Sequence, residues 1–358
     1  MIVKKMPILQ GFPDFETVKK LTRNHVFSEH FAPLFYDIET TGLSRNSTFL
    51  YLVGAVTYEE NNWQMYQWMI ENEDEEYELL KTFSKFLEKF SCTIQYNGDS
   101  FDQPYLEARY QIHGLPSPFK SLPSMDLYRQ LKPLKGLLKL SRMNQPSIEA
   151  FLGITDRIYC DGGACIRLYK QFASGKKPEA GEVVMGHNQE DLLGLGKIFS
   201  MLSYLALFEE DYEALDCEIQ DEQLTFTIKI FYDMPVEFSN HSEEFYITGQ
   251  KDRVRLLVKS QNGRLKQYYS NYKDYDYIPS EDTAMPKTLS ACMDKKLRRP
   301  ARKETCYTWF PVTRFSEKSF KTKNLSETLS SILSFHPEIT SSLSYTEKAS
   351  PSQRTRFF

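Results

Sequence analysis

The most informative stretch of this sequence is Tyr36-Asp37-Ile38-Glu39-Thr40-Thr41-Gly42-Leu43. It continues an alternating, aromatic-rich run from Leu34, which predicts a β-strand over residues 34–39. Successive side chains of a strand point to opposite faces, so Asp37 and Glu39 share one face. Two carboxylates placed in this way repel each other, which favours a bound cation, and oxygen ligands indicate Mg2+ or Mn2+ rather than zinc. A strand that simply ends in solvent is the alternative interpretation.

The segments that follow predict an α/β domain around this strand. Apolar and alternating runs predict further strands at Thr48–Tyr58, Trp63–Ile70, Thr93–Tyr96 and Ser124–Leu127. Helical spacing predicts helices at Glu73–Phe90, Asp102–His113, Pro146–Leu152, Ala164–Phe172 and Gln189–Leu207. This order of elements is typical of a sheet flanked by helices. Residues 1–31 are interpreted as a lead-in with one short helix near Phe15–Asn24 and no assigned function.

Two further acidic positions lie far along the chain. Asp102 opens a predicted helix, where an acid in the first turn would also stabilise the helix dipole. Asp191 follows His187 by four residues, which places both on one helix face if the helix begins early enough. A capping box formed by Asn188 and Asp191 is the alternative interpretation of that segment. Taken one at a time, both acids therefore have a structural explanation as well as a chemical one.

In this order the acidic motifs resemble those of the DEDD superfamily, the proofreading-type 3′–5′ exonucleases with a ribonuclease H-like fold. Residues 37–43 resemble its first motif, residues 97–102 its second and residues 187–191 its third. Tyr96-Asn97-Gly98 with Ser100-Phe101-Asp102, and His187-Asn188 with Asp191, are similar to YprB-type ribonuclease H-like proteins. The resemblance implies that residues 32–207 form a ribonuclease H-like exonuclease domain, a mixed sheet flanked by helices.

The resemblance also implies roles for individual residues. Asp37, Glu39, Asp102 and Asp191 would bind two Mg2+ or Mn2+ ions, and His187 would act as general base. The superfamily places a Tyr four residues, or a His five residues, before its last Asp, so the competence of His187 at four stays open. The residues implied to contact substrate are Thr40, Thr41, Gly42, Leu43, Asn97 and Phe101, although Thr41 could be a cap, and Leu43 and Phe101 could be core residues. Asp126 would not bind the ions itself but would help to orient the acids that do.

Composition limits the class of protein. The sequence has 44 Lys and Arg against 48 Asp and Glu, a net charge of −4, which excludes a uniformly basic coat for nucleic acid. Six cysteines lie without a CxxC pair, which argues against a zinc site and a disulfide framework and favours the cytoplasm. The sequence contains no apolar run approaching the ~18 residues of a membrane span, so we expect no membrane partner.

Residues 208–325 reverse their charge along the chain, which predicts a second, smaller, β-rich or α+β domain. Residues 208–250 hold twelve acidic residues and one basic residue, whereas residues 251–325 hold eighteen Lys or Arg against eight Asp or Glu. The densest basic cluster is Lys295, Lys296, Arg298, Arg299, Arg302 and Lys303. With the nearby tyrosines it could follow a nucleic-acid strand, or it could be a solvated face of a small tyrosine-filled domain. Residues 326–358 predict a weakly ordered tail.

The function implied is a nucleic-acid-binding, metal-dependent 3′–5′ exonuclease that acts on single-stranded DNA or RNA, or on duplex ends. A ribonuclease H-like endonuclease is the second possibility, because both classes use clustered carboxylates and two ions. A nucleic-acid or partner-binding module with low activity is the third. The sequence does not distinguish DNA from RNA and identifies no protein partner.

Overall fold

A computed structural model describes residues 1–22, 31–155, 157–158, 162–209, 211–220, 222–243, 245–269 and 271–312. The chain divides into two units. The first unit comprises Met1–Gln130 and Arg142–Leu202, and the second comprises Leu131–Ser141 and the residues from Ser203 onward. The predicted tail, residues 326–358, lies outside the described residues, as do residues 313–325 at the end of the predicted second domain.

The first unit is built on a six-stranded mixed sheet. Its strands are β1 (Ile2–Ile8), β2 (Pro33–Thr40), β3 (Leu50–Glu59), β4 (Asn62–Met69), β5 (Cys92–Gln95) and β6 (Ser124–Asp126). The spatial order is β1-β4-β3-β2-β5-β6. Neighbours from β1 to β2 run antiparallel, whereas β2–β5 and β5–β6 are parallel pairs. The predicted ribonuclease H-like mixed sheet is therefore confirmed.

The N-terminal segment differs from the interpretation as a lead-in. Ile2–Ile8 pairs along its whole length with β4 and forms one edge of the sheet. Its side chains alternate between half-buried and exposed, and two lysines occupy its centre, so its sequence lacks the apolar alternation of a half-buried strand. Residues 2–8 consequently belong to the sheet that carries the first acidic motif.

Helices cover the sheet of the first unit. The helices up to residue 198 are α1 (Phe15–Thr22), α2 (Glu76–Leu87), α3 (Asp102–Ile112), α4 (Leu127–Leu131), α5 (Leu134–Leu137), α6 (Gln145–Phe151), α7 (Gly162–Ala173) and α8 (Ala180–Ile198). Of these, α5 lies within residues 131–141 and therefore belongs to the second unit. Short 3-10 helices lie at Glu73–Glu75, Pro118–Ser121 and Phe199–Leu207. Because β2 and β3 lie in the middle of the sheet, most of their side chains are buried.

The helix of the third acidic motif begins earlier than the sequence predicts. We expect a start at Gln189, but α8 begins at Ala180, and residues 199–207 form a 3-10 helix instead of its end. The predicted start is late because Gly181 and Gly186 resemble helix breakers. In α8 they are buried, where the missing side chain allows close packing. The longer helix places His187 and Asp191 well inside regular helix, which removes the capping box as an explanation of Asp191.

The second unit consists largely of antiparallel strands, which confirms the predicted β-rich C-terminal region. Its strands are β7 (Tyr212–Gln220), β8 (Gln223–Ile230), β9 (Phe238–His241), β10 (Phe245–Gln250), β11 (Arg253–Lys259), β12 (Arg264–Tyr268), β13 (Tyr275–Ile278), β14 (Thr283–Pro286), β15 (Arg299–Pro300) and β16 (Tyr307–Pro311). They form sheets ordered β7-β8-β11-β10-β9, β12-β16 and β14-β13-β15. The other elements are α9 (Lys287–Ser290) and 3-10 helices at Tyr272–Asp274, Lys295–Leu297 and Lys303–Thr305.

A short segment from the middle of the predicted first domain belongs to the second unit. The side-chain amide of Asn240 on β9 donates hydrogen bonds to the backbone oxygens of Gly136 and Leu137, at 2.9 and 3.1 Å. Leu134 and Leu137 are fully buried. Residues 131–141 are thus interleaved with the later chain. Separately, none of the helices in the described ranges combines the length and apolarity that a membrane span requires.

Candidate active site

Two elements of the first unit place four of the predicted catalytic side chains. β2 carries Asp37 and Glu39 on one face, and α8 carries His187 and Asp191 one helical turn apart. His187 Nε2 lies 3.2 Å from Asp191 Oδ2 and 3.5 Å from Glu39 Oε1. The strand and the helix therefore bring residues that are distant along the chain into direct contact.

Glu39, His187 and Asp191 form a group that could hold a metal ion. One ligand atom from each lies within 4.8 Å of the other two. Glu39 and His187 are buried and Asp191 is half-buried. The His187 Nδ1 atom is buried and has no hydrogen-bond partner among the described residues. The imidazole is therefore oriented by its two carboxylate neighbours.

Asp37 is held by a buried amide from α8. The side-chain N–H of Asn188 donates to Asp37 Oδ2 at 2.9 Å, and Gln67 donates to Asn188 Oδ1 at 2.9 Å. Gly54 on β3 is directly opposite Asp37, and a Cβ atom there would lie 2.0 Å from Asn188 Oδ1. A glycine is thus needed at position 54 for the amide to reach the carboxylate.

Asp102 joins the cluster from the N-terminus of α3. β5 pairs with β2 only as far as Phe35, which leaves the far end of that edge of β2 open. The backbone of Ile38 there opposes the rise in the pKa of Asp102. Phe101 occupies the cap position of α3. Asp102 is buried among other acids, so stabilisation of the helix dipole does not account for its position.

Burial, together with the clustering of charges, raises the pKa values of Asp37, Glu39 and Asp102. Burial raises the pKa of Glu39 to about 8, and the Asp191 charge adds to this. Burial likewise raises the pKa of Asp102 to about 7, with contributions from Asp126 and Asp191. The pKa of Asp37 lies well above its usual range because of burial and the charges of Asp191, Asp102 and Glu39. Neutral donors, Asn188 to Asp37 and Tyr51 to Glu39, oppose these shifts.

This donor set suits a hard divalent cation. Carboxylates that raise one another's pKa gain most from a positive charge between them, and carboxylate oxygens are the preferred ligands of Mg2+ and Mn2+. Glu39, Asp191 and His187 are the group whose ligand atoms lie close enough together for one ion. Asp37 and Asp102 add negative charge beside this group. The geometry thus fits a metal centre at Glu39 and Asp191, two of the four acids that the sequence predicts as metal ligands.

The loop after β2 uses its hydroxyl groups internally. Thr40 Oγ1 donates to the Gly42 backbone oxygen at 2.9 Å, and Thr41 Oγ1 accepts from the Phe49 backbone N–H at 3.1 Å. The Leu43 side chain is 86% exposed, in contrast to the core position considered as an alternative. Thr40 and Thr41 therefore shape the loop, while Leu43 is accessible to a ligand.

The second motif contains an exposed turn, and this turn is held by the buried Asp126. Asn97 is exposed with a φ of +60°, and Phe101 is half-buried against the core, as the alternative interpretation holds. Asp126 accepts hydrogen bonds from the backbone N–H groups of Asn97 and Asp99, at 2.8 and 3.2 Å. Asp126 thereby fixes the turn that leads into Asp102, instead of contacting the other acids through its own oxygens.

Two residues at the site escape the sequence analysis. Tyr51 donates to Glu39 Oε2 at 3.4 Å, and its ring stacks on Tyr169. Arg157 donates to Asp191 Oδ1 at 2.5 Å and also contacts the buried Glu149. No local pattern relates these positions to the motifs, because they meet the acids only through the tertiary fold. Tyr51 is a polar side chain in an otherwise apolar strand, which is a weak signal, whereas Arg157 follows polar residues and gives no such signal.

The tyrosine-rich part of the second unit is mostly a packed core. Tyr277 and Tyr307 both donate to the Asp282 carboxylate, and their rings contact each other. The Lys266 ammonium lies 4.6 Å from the centre of the Tyr307 ring. These rings are therefore engaged within the unit, in agreement with the second interpretation of the sequence. Arg298 pairs with the buried Asp276, whereas the exposed members of the basic cluster are Lys295, Lys296, Arg299, Arg302 and Lys303.

One comparison with known proteins, a match to a family model, agrees with the architecture of the first unit. Residues 34–203 match the family profile of the RNase_H superfamily. A curated relative, the uncharacterized protein YprB of Bacillus subtilis (strain 168), is 24% identical over 197 residues, which are 54% of this chain and 45% of that protein. The chain therefore matches less than half of that relative's length. A solved structure, the family B DNA polymerase of the hyperthermophilic archaeon Pyrobaculum calidifontis, aligns with a TM-score of 0.42 and 15% identity over 51% of this chain and 26% of the polymerase.

Proposed function

We propose, because residues 34–203 match the family model of the RNase_H superfamily, that the chain is a nucleic-acid-binding, metal-dependent 3′–5′ exonuclease of the DEDD type. This match supports a nuclease-type function. The observation that carries the finer proposal is the convergence of Asp37, Glu39, Asp102 and Asp191, where burial, together with the neighbouring charges, raises the pKa values of the first three. Such a cluster repels a phosphate backbone unless cations are bound.

The four acids would hold two Mg2+ or Mn2+ ions. When bound, the ions would neutralise phosphate charge and act as Lewis acids. Asn188 and Tyr51 hold Asp37 and Glu39 through hydrogen bonds, so these carboxylates keep their orientation. His187, in contact with Glu39 and Asp191, would take a proton from an attacking water molecule.

The exposed parts of the site would hold the end of the strand. Leu43 offers an apolar surface to a terminal base, and Asn97 offers an amide to a sugar or phosphate. The second unit carries the exposed cations Lys295, Lys296, Arg299, Arg302 and Lys303, which would bind nucleic-acid phosphates at its own surface. Single-stranded DNA or RNA, or frayed duplex ends, are the substrates that this proposal names.

The test uses the full chain with end-labelled single-stranded DNA and RNA, in Mg2+, in Mn2+ or in chelator. We expect stepwise release of nucleotides from the 3′ end in either metal and none in chelator. An Asp191→Asn variant is the matched control, because it keeps the shape of the side chain and removes its charge.

Three results would contradict the proposal. Products cut internally, or cleavage of a circular strand, would identify an endonuclease. Undiminished release by Asp191→Asn would remove the site from the reaction. Binding without hydrolysis in every metal would identify a binding module.

A further inference from the structure

A cation of the chain itself lies against the carboxylate cluster. Arg157 Nη1 donates to Asp191 Oδ1 at 2.5 Å. The other end of its guanidinium group is occupied by Glu149, whose Oε2 and Oε1 accept from Nε and Nη2 at 2.6 and 2.8 Å. Arg157 therefore uses three of its five N–H groups to bridge α6 and α8.

Glu149 is buried and holds Arg157 in place through hydrogen bonds. Its side chain is 2% exposed, and the amide of Gln145 donates both to Glu149 Oε1 and to the Asp191 backbone oxygen, at 3.1 and 2.8 Å. Gly194 on α8 makes room for it, since a Cβ atom there would lie 1.9 Å from Glu149 Oε1. The clamp, defined as Glu149 and Arg157, thus has a fixed position relative to the helix that carries Asp191.

The clamp fixes which oxygen of Asp191 faces the metal centre. Arg157 takes Oδ1, and this leaves Oδ2 directed at His187 Nε2, 3.2 Å away, on the side of Glu39. A half-buried carboxylate without such a partner would rotate about its last bond, because that torsion has broad minima. The planar guanidinium fork suits this task, since it contacts two carboxylates at once in a set geometry.

We propose that Arg157, held by Glu149, is a positioning residue that orients Asp191 for divalent-cation binding. The proposal rests on the proposed function, because it assigns Asp191 to the metal centre. It adds a residue pair that lies outside the three motifs and acts through Asp191 without contacting substrate. The same contact could instead mean that Arg157 only neutralises the acids, in which case its removal would strengthen cation binding.

The experiment measures Mn2+ binding by calorimetry, without substrate, in the full chain. A Glu149→Gln and Arg157→Gln double variant removes the clamp without leaving one buried charge unpaired. We expect it to bind Mn2+ about 10–100-fold more weakly. At saturating Mn2+ we expect kcat to fall, with an unchanged KM for single-stranded DNA. Arg157→Lys keeps the charge but cannot bridge both acids, so its affinity should be intermediate.

A glycine pair on α8 provides the matched control. Gly194→Ala forces Glu149 away and should reproduce the weakened Mn2+ affinity, although it changes no charged residue. Gly196→Ala crowds the Phe12 ring instead, at 2.2 Å, and should bind Mn2+ like the wild type. Thermal midpoints in chelator show whether each variant is folded.

The outcomes separate this proposal from the proposed function. Mn2+ binding as tight as that of the wild type, or tighter, in the double variant and in Gly194→Ala would overturn the positioning role. Wild-type protein that binds Mn2+ but releases no nucleotides would overturn the nuclease and leave the clamp to be judged by Mn2+ affinity alone.

Discussion

Carboxylates in the two units have opposite surroundings. In the first unit, Asp37 and Glu39 face other acids, and burial together with those charges raises their pKa values. In the second unit, Asp276 accepts hydrogen bonds from Ser290 and Arg298, and Asp282 accepts from Tyr277 and Tyr307. Burial acts to raise the pKa values of Asp276 and Asp282, but the donors outweigh it and the pKa of each lies below its usual value.

The comparison shows that the neighbours, and not the residue type, decide what a buried acid can do. An acid surrounded by donors is already stabilised as an anion and serves the structure. An acid surrounded by acids is stabilised only when a cation arrives, which is the condition for a metal centre. The first unit is therefore the candidate for chemistry, and the second unit is a packed scaffold with exposed cations.

The largest expected effect comes from the same substitution made in both units. Asp37→Asn should reduce nucleotide release by at least about 10³-fold, equivalent to about 4 kcal/mol of barrier. It should also raise the thermal midpoint in chelator, because one repelling charge is removed. Asp282→Asn should leave release unchanged and lower the free energy of unfolding by about 1–3 kcal/mol. Equal effects of the two variants on nucleotide release would contradict the assignment of the chemistry to the first unit.

The role of His187 provides a second test of the comparison between the two units. If His187 takes a proton in the reaction, His187→Ala should slow hydrolysis by about 10²–10⁴-fold. His187→Gln should not restore the rate, although glutamine can donate to Glu39 or Asp191. Single-turnover rates across a range of pH provide the measurement. Full recovery with glutamine would mean that His187 is only a hydrogen-bond donor, as Tyr277 and Tyr307 are to Asp282.

The carboxylates of the first unit should determine how the stability of the protein changes with pH in the neutral range. Glu39 has a folded pKa of about 8 against an ordinary 4.5, and Asp102 about 7 against 3.8. Between these values the folded protein holds protons that the unfolded chain has released, so stability in chelator should fall as pH rises from about 4.5 to about 8. Saturating Mg2+ should abolish this fall. Thermal midpoints with and without Mg2+ at about pH 5.5 and about pH 8.5 test it.

The acids of the second unit should titrate in the opposite sense. Because the folded pKa values of Asp276 and Asp282 are lowered, their contribution is complete above the ordinary value of 3.8 and disappears as pH falls below it. Mg2+ should have no effect on that acid limb of the stability curve. A metal-dependent acid limb would contradict the structural role assigned to these two residues.

The smallest effect concerns the exposed cations of the second unit. Replacing Lys295, Lys296 and Lys303 with serine should weaken single-strand binding and reduce the slope of log affinity against log salt by about 0.7 for each phosphate that is no longer neutralised. Arg255, exposed on β11, is the control position for removal of a charge elsewhere on the unit. An unchanged slope would show that these lysines do not bind nucleic acid.

Much of the fold is predictable from sequence, because buried strands have a recognisable apolar pattern and because Asp37 and Glu39 lie only two residues apart. Residues 34–39 and 48–58 follow simple patterns, and Asp37 and Glu39 share a face by the period of any strand. The start of α8 is not predictable in this way, because buried glycines there serve packing. Strand β1 also escapes prediction, because an exposed edge needs no apolar alternation.

The clamp is a different case, because no sequence pattern predicts it. Glu149, Arg157 and Asp191 have no fixed spacing that chemistry requires, and they meet only because α6 packs on α8. The convergence of Asp102 with Asp37 also depends on where β5 stops. Motif resemblance brings the four acids together as an expectation, whereas their hydrogen-bond partners are properties of the tertiary structure.

The interleaving of residues 131–141 limits how the protein can be dissected. A truncated protein ending at Leu202 would retain Leu134 and Leu137 while lacking Asn240, which binds the backbone of that segment. In the whole chain both leucines are fully buried, and in the fragment the backbone of their segment would lose its two hydrogen bonds from Asn240. Point substitutions in the full chain are therefore the appropriate way to test which unit is responsible for which activity. A truncated protein that precipitates would give no information about catalysis.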